Sequence, residues 1–553
     1  MPDVLAEEVL TAERRQMMAV VRAFVEKEVI PLATRIEGDE AALRNLLETM
    51  KKLGLFGVPV PEAYGGLGLD HTTCALIAEE LARGWVSLAG VLGEHWSTAA
   101  VIAMFGTAAQ KTRYLPAMVT GDQCGALCFA ESPEPGFHAI RTMARRGAGG
   151  YLLNGSKSFV ANGRQGMLFL VLAKTDPEAT PPEAGMSCFL VEPGEPGLRV
   201  TKRIDRLGDK GVELVELHFD QLPVPHEDLL GGEEGQGFKQ AMAAVELRRL
   251  NDSARAVGVA EAALQTSLRY AQIRRTFGKP IAEHQAIQLK MADMATKTEA
   301  ARRLTYAAAS RKDVGAPAEL EVRMATLFAS EAAQEVALDA MRIHGGYGYI
   351  KESPIERYYR DVPHLAQGMG DMQRIAIARC LFERYAARQG GLKLLDDLPE
   401  ERRRLVGAVR AFVEHDVVPV ASMYELADEY PGELVERLKA LGLLGATIPR
   451  EYGGLGLDFS TYALIVEELS RGWMSLTGVL NTHLIMAYLV LQFGTAEQRR
   501  RFLPVFATGA KRGGLALTEP EAGSDVQAIR TQARRDGDHY VITGTKMFVT
   551  NGR

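Results

Sequence analysis

Arg274 and Arg275 stand side by side, followed by Thr276 and Phe277. A pair of arginine forks is a natural partner for phosphate oxygens. His344, Gly345 and Gly346 form a second group, a glycine turn whose backbone can come close to an anionic ligand. The plain alternative for both is a solvated charge pair on a helix and a glycine turn capping another. Glu94 directly precedes His95, so an imidazole stands beside a carboxylate whose proton network it could tune. Glu246 and Asp371 are further acids; for all three, a solvated or structurally paired carboxylate is the plainer reading. The five cysteines (Cys74, Cys124, Cys128, Cys188, Cys380) include no CxxC pair, and no histidine cluster has metal-ligand spacing. That pattern fits a reduced protein without structural zinc.

At 553 residues the chain is too long for one core and implies three or four domains. Hydrophobic residues make up 47% and charged residues 24%, ordinary values for a soluble globular protein. The net charge is −6, from 64 basic and 70 acidic residues, with no basic tail or stripe. This balance argues against nucleic acid or an anionic membrane as the main partner. The first residues, MPDVLAEEVLTAERRQ, are amphipathic and mixed in charge, unlike a signal peptide. No apolar run is expected to reach the roughly 18 residues of a membrane span. The expectation is a cytoplasmic protein.

The elements that position these residues come in repeated order. RAFVEKEVIPLA begins at Arg22 and returns as RAFVEHDVVPVA at Arg410, an offset of 388. LGLFGVPVPEAYGGLGLD and EELARGWVSLAGVL return at the same offset, as LGLLGATIPREYGGLGLD and EELSRGWMSLTGVL. AIRTMARR, from Ala139, returns at Ala528 with an offset of 389, so the first copy has lost one residue between about 126 and 138. A period this long is a domain duplication. Residues 1–122 carry apolar residues at helical spacing, 123–232 carry short β-rich runs split by Gly, Pro and Asn, and 233–390 are helical again. A polar joint, 391–397, leads into a second helical block, 398–510, and a short β-rich piece, 511–553.

Four phrases carry a resemblance: EAYGGLGLD, YLLNGSKSFVANGR, RRTFGKPIAEHQAIQLKMADMA and MRIHGGYGYIKESPIERYYRD. Together they resemble the acyl-CoA dehydrogenase family, over essentially all of the first copy and the opening part of a second. The resemblance implies an α+β multidomain fold: an N-terminal helical domain, a middle β-barrel-like domain and a C-terminal four-helix bundle, then a partial repeat of the first two. It also implies FAD at a subunit interface of a homo-oligomer (dimer or tetramer), an acyl-CoA thioester substrate and an electron-transferring flavoprotein as acceptor. In that chemistry a carboxylate takes the α-proton while a hydride leaves the β-carbon, so base and flavin must flank the acyl chain.

Carried over position by position, Arg274, Arg275, Thr276, Phe277, His284, Gln285, His344, Gly345 and Gly346 match the family's FAD-binding run and glycine turn. The first half of the first copy departs from the pattern. The second copy reads LTEPEAGSD, with Thr518 and Ser524, where the first reads FAESPEPGF, with Phe129 and Ala130. In SKSFVANGR, Phe159 is kept but Ala161 replaces a threonine that the second copy keeps as Thr550. Losing one such hydroxyl contact to the flavin costs on the order of 1 kcal/mol. In AQGMGDMQR, Gln367 occupies the place of the catalytic glutamate, with Met369 and Asp371 after it, and an amide takes no proton near neutral pH. A minority branch carries its glutamate one residue before an arginine on an earlier helix; here that position is Arg248, before Arg249. Glu246 stands where the family usually has an aspartate near CoA, so Glu246 and Arg249 are expected on the substrate side. Glu94 is the preferred substitute base.

Two other readings remain beside the dehydrogenase. One is a non-catalytic relative serving as a binding or assembly subunit. The other is a flavin monooxygenase that needs no α-proton base.

Overall fold

Four helices of the N-terminal block begin where the sequence supplies a side-chain acceptor for their first free amides. In this computed structural model, which describes residues 11–33, 35–131, 139–147, 149–163, 167–366, 370–387 and 399–551, the chain forms two units, Met1–Gln389 and Gly390–Arg553. In the first, Thr11 caps α1 (Ala12–Phe24), Asp39 caps α2 (Glu40–Lys52) and Asp70 caps α3 (His71–Gly84). Helix α4 (Val86–Phe105) follows, and Thr107 with Gln110 makes a reciprocal capping box for α5 (Ala108–Thr120). Gly121, at φ 74°, ends α5 in a left-handed conformation that glycine adopts freely.

The middle domain is a seven-stranded sheet. β1 (Cys124–Cys128) is buried throughout and pairs in parallel with β4 (Met167–Lys174), which also carries β5 (Met186–Val191) on its antiparallel side. β2 (Met143–Gly147) links β4 to β3 (Gly150–Ala161), then come β7 (Leu214–Pro225) and β6 (Leu198–Arg203). The β3–β7 register shifts between Lys157 and Val160, and Phe159 and Asn162 both take φ 57°. This bulge turns Phe159 outward, 59% exposed, while Asn162 is buried.

The C-terminal block is a bundle of α6 (Gly237–Ile273), α7 (Gln285–Asp313), α8 (Glu319–His344) and α10 (Gly370–Ala387), with α9 (Pro354–Asp361) before the last. Alanines let the axes approach closely: Ala254, Ala256, Ala260 and Ala263 on α6, and Ala325, Ala329, Ala333 and Ala337 on α8, are all buried. Arg302 of α7 ties three helices together, reaching Glu79 at 2.9 Å and Glu261 at 2.7 Å.

The second unit repeats the N-terminal block as α11 (Glu400–Phe412), α12 (Ala421–Ala427), α13 (Gly432–Ala440), α14 (Phe459–Gly472), α15 (Met474–Phe493) and α16 (Ala496–Ala507). Asp458 caps α14 and Thr495 with Gln498 caps α16, the same devices at the same places. An exposed hairpin follows, β8 (Gln532–Asp536) against β9 (His539–Thr543). Met474 is 75% exposed where its counterpart Val86 is 1% exposed under the first unit's bundle and sheet.

One expectation needs correction: α4 and α15, each 20 residues, are long and apolar enough by composition to cross a membrane. α4 owes its composition to burial on all sides between α3, α6 and β1, with 78% of its most apolar stretch inside the protein. α15 inherits the pattern through the duplication but is 39% buried over the same stretch.

Candidate functional site

The C-terminal end of α6, the loop after it, the start of α7 and the end of α8 enclose one pocket. Arg274, Thr276, Phe277, His284, His344, Gly345 and Gly346 all line it, together with Tyr270. The chain bends at Arg274, and a two-residue hairpin presents Thr276 to His284, whose Nε2 lies 2.9 Å from the threonine hydroxyl. Phe277, at φ 51°, is 97% exposed. His344 stacks on Tyr270 at 4.2 Å, and burial lowers its pKa, so the neutral ring donates from Nδ1 to the Ala340 carbonyl at 2.8 Å. Gly345 takes φ 58°, and a Cβ on Gly345 or Gly346 would meet nothing within 4 Å. The turn therefore leaves room for a ligand to lie against bare backbone, which fits the phosphates and ribose of a dinucleotide.

Three residues expected here are placed elsewhere. Arg275 donates to the Gly278 carbonyl at 2.8 Å within its own turn, and Gln285 is exposed at the start of α7. Asp371 is exposed on α10 and lies 3.6 Å from Arg374, one turn along. Gln367 and Met369 lie outside the described residues.

A second cluster forms where β1 ends and β3 bulges. Phe129 is buried, Ala130 is exposed, and the Ala130 carbonyl accepts from the Ser158 amide at 2.9 Å. Lys157, fully buried, donates to the Phe129 carbonyl at 3.3 Å and to Glu131 at 2.7 Å. Glu131 also accepts from the Arg141 amide and from both the amide and the hydroxyl of Thr142. Burial pushes the Glu131 carboxyl up, but Lys157 and these donors hold it below the usual carboxylate range, while burial lowers the pKa of Lys157 against the pull of Glu131. Residues 129–131 and 157–161, with Phe159 and Ala161, are thereby locked together. This cluster shares no residue with the pocket on the bundle.

Sequence reasoning passed over Lys157, Glu131 and Asn162; the signal was their recurrence in the second copy. Lys546 donates to Glu519 and to the Leu517 carbonyl, both at 2.8 Å, and Glu519 accepts from the Arg530 and Thr531 amides. Asn551 Nδ2 donates to Val479 and Gly513 just as Asn162 Nδ2 donates to Val91 and Gly125. Of the second copy's hydroxyls, Thr518 is half-buried, and Ser524 and Thr550 are exposed.

Glu94 is buried where α4, α6 and the end of β1 meet, near Cys128, whose thiol pKa is raised by burial and, to a lesser degree, by Glu94. Its Oε1 accepts from Arg248 Nη1 at 3.1 Å, and among the described residues no other group bonds to its carboxylate. Burial lifts the Glu94 pKa against the pull of Arg248. Arg249, next on α6, has an unpartnered Nε, and burial with neighbouring Arg323 and Arg248 lowers its pKa to about 10. Glu246 is paired with Lys312 of α7 at 2.6 Å.

His95 serves another purpose than the proton network expected of it. Burial lowers its pKa to about 4, and both ring nitrogens are engaged. Nε2 donates to the Phe56 carbonyl at 3.2 Å and Nδ1 accepts from the Gly125 amide at 3.1 Å, pinning α4 to the first strand. His483 makes the same ties to Leu444 and Gly513.

Comparisons with known proteins agree with this arrangement. The acyl-CoA dehydrogenase N-terminal domain matches residues 11–122 and 399–510, the middle domain 128–222 and 514–553, and the C-terminal domain 235–382. An acyl-CoA dehydrogenase of Bacillus subtilis (strain 168) is 41% identical over 378 residues, 68% of this chain and 99% of the relative. The butyryl-CoA dehydrogenase structure from Megasphaera elsdenii superposes with a TM-score of 0.64 at 34% identity, over 68% of this chain and 99% of that one. A chain in a structure described as the electron transferring flavoprotein of Acidaminococcus fermentans gives a TM-score of 0.64 at 38% identity, over 67% of this chain and 98% of that one. With the fold, the pocket and the sheet cluster in place, the chain belongs to the acyl-CoA dehydrogenase family of FAD-dependent flavoproteins, as one full copy followed by the first domain and part of the second of another.

Proposed function

We propose that the first unit dehydrogenates an acyl-CoA thioester between its α- and β-carbons, with Glu94 as the base in place of Gln367. The observation that carries this is the meeting of Glu94 with Arg248, 3.1 Å apart across α4 and α6. Arg248 stands where the family's minority branch keeps its glutamate, so the carboxylate reaches that point from the opposite helix. FAD, when bound, accepts the hydride leaving the β-carbon. Arg274 and the turn at Gly345 and Gly346 hold its phosphates, while the segments locked by Lys157 and Glu131 offer backbone to its ring. Glu94 takes the α-proton on a carboxylate oxygen, and the electrons of that C–H bond form the new double bond. Arg248 orients the carboxylate and opposes the effect of burial on its proton affinity.

The pocket on the bundle and the cluster on the sheet share no residue, and Phe277 is almost wholly exposed. Both observations support a homo-oligomer in which one subunit's pocket completes another's sheet cluster. Likeness to a chain of an electron transferring flavoprotein structure supports such a protein as electron acceptor.

The test is anaerobic reduction of the bound flavin by acyl-CoA thioesters. Glu94→Gln, which keeps an acceptor for Arg248, is expected to slow reduction by about 10²- to 10⁴-fold with flavin content unchanged. Full reduction by that variant would remove Glu94 as the base. Flavin that no thioester bleaches would favour the base-independent monooxygenase, and a purified chain without flavin the non-catalytic subunit.

A further inference from the structure

A small cavity of about 40 Å³ lies between α3, α4 and α6, lined among others by His71, Cys74, Gly93, Ser97, Leu247 and Asn251. It is one residue along α4 from Glu94 and one residue along α6 from Arg248. Asn251 is 8% exposed, and among the described residues neither its Oδ1 nor its Nδ2 has a hydrogen-bond partner. A buried amide in this state is rare, because each group left unpaired costs free energy that an apolar residue would not. Gly93 leaves the amide its space: a Cβ there would sit 2.3 Å from Asn251 Oδ1.

The other lining groups fix the kind of ligand. The Ser97 hydroxyl donates to the Gly93 carbonyl at 2.7 Å, so its hydrogen is already used. Burial lowers the pKa of His71 and raises that of Cys74, so ring and thiol are both neutral at physiological pH. The lining thus offers no formal charge to a carboxylate or an ammonium group. It does offer both an acceptor and a donor, on one amide. A cavity of about 40 Å³ exceeds the roughly 10–15 Å³ that one buried water requires, so it has room for a small end group.

We propose that this cavity is an end-group subsite, and that Asn251 selects acyl groups ending in an uncharged hydrogen-bonding function, a hydroxyl or a carbonyl, over plain alkyl chains. The proposal rests on the acyl-CoA reading above and narrows its substrate class. Asn251 is a specificity residue: it donates to or accepts from the end group and takes no part in proton or hydride transfer.

The experiment compares valeryl-CoA with its isostere in which the terminal methyl is a hydroxyl. Binding to the full-length, flavin-loaded protein is measured by titration calorimetry, which needs no turnover. The hydroxylated thioester is expected to bind about 10- to 100-fold more tightly. Asn251→Leu should abolish or reverse that preference with flavin content and circular dichroism unchanged, whereas Glu94→Gln should keep it while losing flavin reduction. Equal binding of the two thioesters by the native protein overturns the proposal and leaves Asn251 as a host for a buried water. A preference that survives in Asn251→Leu overturns it as well. If neither thioester binds, the acyl-CoA reading itself fails and takes this one with it.

Discussion

Glu94 and Arg248 set each other's state. Burial alone would keep the carboxyl protonated well above the ordinary carboxylate range, and the guanidinium at 3.1 Å opposes that. Removing the cation as Arg248→Gln should raise the Glu94 pKa further. A base must be deprotonated to act, so the acid limb of the flavin-reduction rate should move to higher pH by roughly one unit or more. An unchanged pH profile in that variant would separate Glu94 from the rate. Legibility at this scale followed sequence distance. Arg274 to His284 and His344 to Gly346 are short runs whose order nearly dictates their shape, and they line one pocket. The Lys157–Glu131 pair spans 26 residues and a register shift, so nothing local joins it. Asn251 was overlooked because one polar residue among the many of ELRRLNDSAR has meaning only once its neighbours in space are known.

Helix α4 shows what the elements contribute. It is apolar all round because bundle and sheet cover it, and His95 is one of its few polar anchors. His95 is buried neutral, with a pKa near 4 against 6.5 for a free side chain. The unfolded chain therefore binds this proton more readily than the folded one between pH 4 and 6.5. Stability should be full above that window and fall as the pH drops through it, by about 3 kcal/mol from this group. His483 should add a fall of the same sign, since burial lowers its pKa too. His95→Gln, which keeps a donor and an acceptor but cannot charge, should flatten the slope in denaturant titrations from pH 7 to 4. A second expectation concerns the buried ion pair. Lys157→Met leaves Glu131 without its cation, and such a loss typically costs about 3–5 kcal/mol. The helical blocks were readable from the spacing of their apolar residues. The bulge in β3 was not, because a register shift is a property of two paired strands and leaves no mark in either one alone.

Across the whole molecule, the bundle pocket, the sheet cluster and the Glu94–Arg248 pair all fall within Met1–Gln389. A chain ended after Gln389 is expected to keep its flavin and its reduction by thioesters, and loss of both would give the second unit a part in the chemistry. The duplication was plain from its nearly constant offset, and the three-block order from the change of periodicity. The consequences for surface were not, since the same apolar helix is covered in one copy and partly bare in the other. The second unit also carries a seam formed by His483, Lys546 and Asn551, the counterparts of His95, Lys157 and Asn162. The ties of His95, Lys157 and Asn162 need only residues that precede α6. As the chain leaves the ribosome, the helical block and the start of its sheet can close before the bundle has been made.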